Sequence, residues 1–188
     1  LYLIYVMSKS NKQDTHLIYG INGSLAVLEK NHYDIISIDL MQKSPATKNR
    51  ELLNLLSKYE PLIKRIPIEL FKNRYAQKHT QGIAIKFKGK LANDLPKLND
   101  IEGDYGLLMI DNITDPQNFG QIIRSAECAG INGIIIPDRN SVGMTDTVLQ
   151  VSQGAFSNID IYSVPNLNQS LSQLKDDTAR PDTLTVLL

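Results

Sequence analysis

The sequence predicts an α/β protein in two parts, the second built on a parallel sheet, and three observations carry that expectation. Leu107–Ile110 and Gly133–Ile136 are short apolar runs on either side of a helix-length segment, the pattern of buried parallel strands joined by a crossover. Upstream, between about His16 and Lys90, stretches of helical and strand periodicity alternate, which predicts a small αβα sandwich. Between the two parts, Leu91–Asp104 (LANDLPKLNDIEGD) is acidic, rich in Asn, Asp, Pro and Gly and without periodicity, and reads as a linker. The domains expected are therefore 13–90 and 105–188, joined by 91–104.

In chain order, His16–Tyr19 is a short strand or turn, and a helix follows from about Asn22 to Lys30 with Leu25 and Leu28 on its buried edge. Asp34–Met41 alternates and is rich in Ile, which predicts a strand. Lys43–Glu60 carries Leu52, Leu55, Leu56 and Tyr59 at helical spacing, with Lys48, Arg50 and Lys58 outside. Leu62–Ile66 is a short strand, Pro67 opens a helix, and Gly82–Lys88 alternates as a strand.

The helix after Leu107–Ile110 has clear ends. Asp115 suits the N-cap, Pro116 the first helical position and Gly130 a left-handed exit. At about 100° per residue, Phe119, Ile122, Ile123, Ala126 and Ala129 fall on one side, and Asn118, Gln121, Arg124 and Cys128 on the other. Beyond it, Thr145 or Asp146 caps a helix carrying Val148, Leu149 and Ser152–Ala155. Ile159–Val164 is a third strand, Asn166 caps a helix with Leu167, Leu171 and Leu174, and TLTVLL at the end begins a fourth strand.

Of the 188 residues, 42% are hydrophobic and 21% charged, ordinary globular values, and the formal net charge is zero. That zero hides an asymmetry. Residues 43–90 hold twelve Lys/Arg against three Asp/Glu, and residues 91–188 hold five against thirteen. A phosphate backbone is the natural partner of the basic part. A solvated basic face, or one that docks on the acidic half, stays open as the alternative.

Cys128 is the one cysteine, which excludes a disulfide framework and points to a reducing, cytoplasmic setting. His16, His32 and His79 lack ligand spacing, so no metal site is expected. No stretch has the length of a membrane span. Because residue 1 is Leu and Met7 precedes a polar run, residues 1–6 are read as upstream translated sequence.

In open α/β sheets ligands sit beyond the carboxyl ends of the strands, so the Asp111–Asn118 loop is where a site is expected. The loop lacks both a glycine-rich dinucleotide fingerprint and a phosphate-loop lysine. It offers amide, carboxylate and guanidinium groups instead, from Asn112, Asp115, Asn118 and Arg124. Arg124, fixed in its charged form, is suited to gripping phosphate rather than accepting a proton.

The run DNITDPQNFGQIIRSAECAG, Asp111–Gly130, resembles the first motif of the SpoU, or TrmH, family of RNA ribose 2′-O-methyltransferases. Tyr19-Gly20 and the HTQGIA stretch, His79–Ala84, are similar to the RlmB-type branch, which methylates a guanosine of large-subunit ribosomal RNA. The resemblance runs from about His16 to Leu174. It implies a SPOUT-type α/β-knot catalytic domain with a parallel sheet, preceded by a small RNA-binding αβα domain resembling a ribosomal protein. It also implies S-adenosyl-L-methionine as cofactor, ribosomal RNA as partner and a homodimer.

By that resemblance Asn118 and Arg124 line the active site, with Arg124 helping to activate the ribose hydroxyl through the target's own phosphate. Lys43, Lys48, Arg50, Arg74, Lys78, His79 and Gln81 are the RNA-contact candidates, although His79–Gly82 serves equally well as a purely structural entry to a strand. The family's later motifs, a glycine-rich segment with a Glu and a Ser-Leu-Asn segment, have no counterpart after Leu174. The chain is accordingly read as a truncated or frame-shifted copy whose cofactor-binding residues are unknown, with a non-catalytic RNA-binding module as the alternative function.

Overall fold

The computed structural model describes residues 15–30, 32–76, 79–96, 105–176 and 184–187, and in it the chain builds two four-stranded sheets. The first contains β1 (Thr15–Tyr19), β2 (Asp34–Met41), β3 (Ile63–Ile66) and β4 (Ile83–Lys88), in the order β1-β4-β2-β3. β4 runs antiparallel to both neighbours, and β2 and β3 are parallel. Its helices are α1 (Ile21–Glu29), α2 (Arg50–Leu56) and α3 (Ile68–Arg74).

Central β4 is buried along one face and at Ala84 on the other, with Lys86 and Lys88 exposed. Ile83, Ile85 and Phe87 share one cluster with Val27 of α1 and Leu52 and Leu56 of α2. Ala84 joins Tyr19, Ile66 and Phe71 of α3 in another. Two apolar layers on one sheet are the physical content of the αβα sandwich that the alternation foretold.

The second sheet is fully parallel: β5 (Tyr105–Met109), β6 (Gly133–Pro137), β7 (Asp160–Val164) and β8 (Leu184–Leu187), in the order β7-β6-β5-β8. The chain steps outward from β5 to β7 through α4 (Pro116–Cys128) and α5 (Asp146–Val151), then returns through α6 (Leu167–Asp176) to the far side of β5. Side chains sort accordingly. Ile134, Ile136 and Ile161 pack with Phe119, Ile123, Val148 and Leu149, while Leu107, Met109, Ile135, Tyr162 and Val164 pack with Leu174.

Two expectations are corrected. The helix expected to include Tyr59 stops at Leu56 and continues as a 3-10 segment over Ser57–Leu62, with Tyr59 non-helical and Pro61 inside the segment; proline offers no N–H to continue an α-helix. The helix expected to carry Ser152–Ala155 ends at Val151, because Gln153 (φ 54) and Gly154 (φ 99) turn the chain left-handed. Of the segment expected as a linker, residues 91–96 are described, and Asn93 joins them to the second sheet: Asn93 N donates to Ile161 O at 2.8 Å and Ser163 N to Asn93 O at 3.0 Å. Residues 1–14, and with them the reading of residues 1–6, lie outside the described residues.

The two sheets share a core. One buried cluster runs from Ile18, Val27 and Ile85 of the first half to Phe119, Ile123, Leu149 and Phe156 of the second. Among the described residues no helix is long and apolar enough to cross a membrane.

Tyr33 is buried with its ring edge-on to Phe87, centroids 5.1 Å apart. Burial pushes its phenol up to about 12 from the ordinary 10. A phenol whose folded value is raised stabilises fully below pH 10 and loses that contribution as pH rises through 12. Tyr33→Phe therefore gives a shallower loss of stability between those pH values, read by urea denaturation across the range; an unchanged slope contradicts the assignment.

Candidate active site

α4 is set by local chemistry at both ends. Asp115 caps it, its Oδ1 accepting from Gln117 N at 2.8 Å, and Pro116 occupies the first turn, where its missing N–H costs nothing. At the exit Gly130 takes φ 77, and Ile131 N donates to Ala126 O at 3.0 Å. Phe119 and Ile123 are fully buried, and Ala126 nearly so. Gly120, a poor helix residue, is there because a Cβ would lie 2.6 Å from Val151 Cβ, so α4 and α5 touch backbone to side chain. With that stripe inward, Asn118, Gln121, Arg124 and Cys128 are all exposed.

At the carboxyl ends of the parallel strands lies a crevice of about 510 Å³. Its polar lining comes from Asp111 and Asn112 after β5, Arg139 and Asn140 after β6, and Asn166 and Asn168 at the start of α6. Met109, Pro137, Leu167 and Leu171 give it apolar walls. Asn112 (φ 53) and Asn140 (φ 58) both sit in the left-handed region, which Asn tolerates better than most side chains. The two loops are clipped together, Val142 N donating to Ile113 O at 2.6 Å and Ser141 Oγ to the same oxygen at 3.2 Å.

The crevice lies beyond the carboxyl ends of β5, β6 and β7, the end of the sheet at which open α/β proteins bind ligands. Size and mixed lining suit a ligand of nucleoside dimensions with both apolar and hydrogen-bonding parts. Arg139, Asn140 and Asn168 were not singled out from the sequence. Their signal was present: an Asn follows each of β5, β6 and β7 within a few residues.

Neither Asn118 nor Arg124 lines that crevice. Arg124 instead lines a cavity of about 330 Å³ at the seam between the halves, together with Asn22 and Glu29 of α1 and Glu127, Cys128 and Asn158. Six residues apart, the two side chains leave α4 about 9 Å apart along its axis and about 120° apart around it. One helix thus carries Asn118 near its capped start and Arg124 at the seam.

The candidates for RNA contact divide. Lys43, Lys48, Arg50 and His79 are exposed. Arg74 is engaged: its Nη1 donates to Asp39 Oδ2 at 2.6 Å, and Tyr75 Oη donates to the same oxygen at 2.6 Å. The hydrogen bond to Asp39 raises the Arg74 value; burial, then its own hydrogen bond to Asp39, raises the Tyr75 phenol. Gln81 is also engaged, its Oε1 accepting from Ile21 N at 2.8 Å at the start of α1. Thr80 and Gly82 knit the same turn, with Met41 N donating to Gly82 O at 2.8 Å and Ile83 N to Thr80 O at 3.0 Å. Lys78 lies outside the described residues.

Residues 106–184 match the model of the SpoU rRNA Methylase family. Over 168 residues the chain is 30% identical to the 23S rRNA (guanosine-2'-O-)-methyltransferase RlmB of Shewanella oneidensis, which covers 88% of this chain and 68% of that protein. The RlmB of Salmonella typhi is likewise 30% identical, over 87% of this chain and 68% of its own length. In three dimensions the chain is similar to the SpoU methyltransferase AviRb from Streptomyces viridochromogenes, solved in complex with AdoMet, with a TM-score of 0.67 at 17% identity. That match covers 89% of this chain and 60% of AviRb. An AdoMet-bound rRNA methyltransferase from Sinorhizobium meliloti gives 0.64 at 17% identity, over 87% of this chain and 59% of its own. These likenesses establish a SpoU methyltransferase fold, mixed α/β with a parallel sheet. With that fold and relatives matched through both of its sheets, the chain belongs to the SpoU rRNA methylase family.

Proposed function

We propose that this chain methylates a ribose 2′-hydroxyl in RNA, most specifically a guanosine of large-subunit ribosomal RNA, with S-adenosyl-L-methionine as methyl donor. One observation carries the reading: sequence identity to a 23S rRNA guanosine 2′-O-methyltransferase extends through both halves, not through the parallel sheet alone. A family domain reused for another substrate would keep the second half and lose the first. The division of labour follows, with 13–90 as the RNA-capturing domain, 91–104 as the connection and 105–188 as the catalytic domain. The setting is the cytoplasm and the assembly a homodimer.

The crevice fits the donor. Apolar walls at Met109 and Leu171 suit a nucleobase, the Asn112, Asn140 and Asn168 amides suit a ribose and an amino-acid tail, and the Asp111 carboxylate suits a cationic ligand. When bound, S-adenosyl-L-methionine supplies a methyl group made electrophilic by its sulfonium. The protein's own part is to place a hydroxyl oxygen in line with that methyl and to stabilise the charge that develops on it.

Arg124 remains a cation throughout, so it takes no proton. Its fork holds an RNA phosphate and draws the adjacent 2′-hydroxyl into place, the phosphate oxygen receiving the proton. Asn118, exposed near the start of α4, orients the ribose through its amide. The exposed Lys43, Lys48, Arg50 and His79 capture the backbone, whereas Arg74 and Gln81 act through the fold they brace.

Incubating the chain with ribosomal RNA and methyl-labelled donor gives a 2′-O-methyl mark resistant to alkaline cleavage at the next phosphate. Arg124→Ala lowers kcat about 10²- to 10³-fold with little change in donor affinity, the scale of losing one charge-stabilising donor. Unlabelled RNA with intact salt-sensitive RNA binding would leave only the RNA-binding module. For the crevice, Asn112→Gly keeps stability but weakens donor binding in calorimetry, because its amide is gone, while Asn112→Val, forced to φ 53, weakens donor binding and also costs about 1 to 3 kcal/mol of stability.

A further inference from the structure

Among the described residues β1 pairs with β4 alone, so the backbone groups on its other side form a row that a neighbouring element can meet. Here the row is met by a helix. Leu17 N donates to Asp146 Oδ1 at 3.2 Å and Tyr19 N to Gln150 Oε1 at 3.1 Å. Gln150 Nε2 returns a bond to Tyr19 O at 3.3 Å. The Gln150 carboxamide therefore makes the two bonds that a peptide group of a neighbouring strand would make.

The match is one of spacing. Strand residues two apart are separated by about 6.7 Å, and helix residues four apart by about 6 Å along the axis. Asp146 and Gln150, four apart on α5, meet Leu17 and Tyr19, two apart on β1. Apolar packing across the seam is non-directional, so it can press the halves together without fixing their register. Paired, directional hydrogen bonds can fix it.

Two features tie this ladder to the candidate site. Gly154, at φ 99, brings its backbone against α1, where an added Cβ would lie 3.0 Å from Asn22 O and 3.2 Å from Ala26 Cβ. The cavity at that closure is the one Arg124 lines. His16, buried against Phe87, adds its Nδ1 3.8 Å from Asp146 Oδ1.

We propose that Asp146 and Gln150 are positioning residues for RNA methylation: their side-chain ladder to β1 sets the orientation in which RNA held by the first half reaches the Arg124 face of α4. This rests on the methyltransferase reading above. The residues act through β1 and touch neither RNA nor donor.

The test is Asp146→Ala with Gln150→Ala in the full chain, with Asp146→Asn and Gln150→Glu as single variants. In the double variant the Leu17 and Tyr19 amide protons exchange about tenfold faster, and KM for ribosomal RNA rises about tenfold with kcat and donor affinity within about twofold, the scale of one lost hydrogen bond. Asp146→Asn keeps both readings at their unsubstituted values, because its amide oxygen accepts the same N–H. Gln150→Glu speeds exchange at Tyr19 and raises KM, because its second oxygen faces the Tyr19 carbonyl. Unchanged amide exchange in the double variant means there is no ladder, and faster exchange with unchanged KM means the ladder positions nothing; either overturns the proposal. If the unsubstituted chain transfers no methyl group, the methyltransferase reading fails and takes the catalytic role with it, while amide exchange still decides whether the ladder exists.

Discussion

The burial of Phe119, Ile123 and Ala126 in a core common to both sheets is the constraint from which the rest of the arrangement follows. A helix whose apolar stripe is committed has no freedom to rotate about its axis; turning α4 by one residue would put Phe119 in water and a polar neighbour in the core. Burying a side chain of that kind is worth about 1.5 to 3 kcal/mol, more than a surface polar contact could recover. The rotation is held further by Gly120, whose missing Cβ lets Val151 approach from α5. Arg124 is therefore presented at the seam by what lies beneath it, without any partner of its own needed to aim it.

The placing of the crossover helices on opposite faces does the corresponding work for the crevice. Because α4 and α5 cover one face and α6 the other, the segments leaving β5 and β6 diverge from the one leaving β7, and the gap between them cannot be closed by side chains of regular elements. It is bordered by turn residues, two of them Asn in the left-handed region. Polar atoms gather there for the same reason that the strands end there.

Much of this was legible in the sequence, and the divide between legible and illegible is one of range. The ends of α4 were readable because Asp115, Pro116 and Gly130 act within a turn of themselves, and β5 and β6 because burial on both faces writes an unbroken apolar run. What could not be read depends on partners far along the chain. Tyr19 and Gln150 are 131 residues apart, so nothing local marks either as half of a ladder. Gln81 and Arg74 are read from the sequence as RNA-contact candidates, and nothing local shows that Gln81 Oε1 meets the start of α1 60 residues away or that Arg74 meets a buried carboxylate 35 residues away. The early end of α5 also has a distant neighbour: Gly154, where the chain turns, packs against Asn22 and Ala26 of α1.

Those engagements change what the basic first half can do. Of its three arginines, Arg65 is paired with Glu60 at 2.7 Å and Arg74 with Asp39 at 2.6 Å, which leaves Arg50 as the fork without a carboxylate partner among the described residues. The remaining positive charge of residues 43–90 is lysine. A lysine ammonium is a strongly hydrated point charge on a flexible stem, able to neutralise phosphate but poorly suited to fixing its direction. Under the proposed reading, capture by this half is a salt-sensitive, largely shape-blind step. Discrimination among nucleotides then has to arise where geometry is rigid: at the seam that Arg124 lines, and in the angle at which the two halves meet.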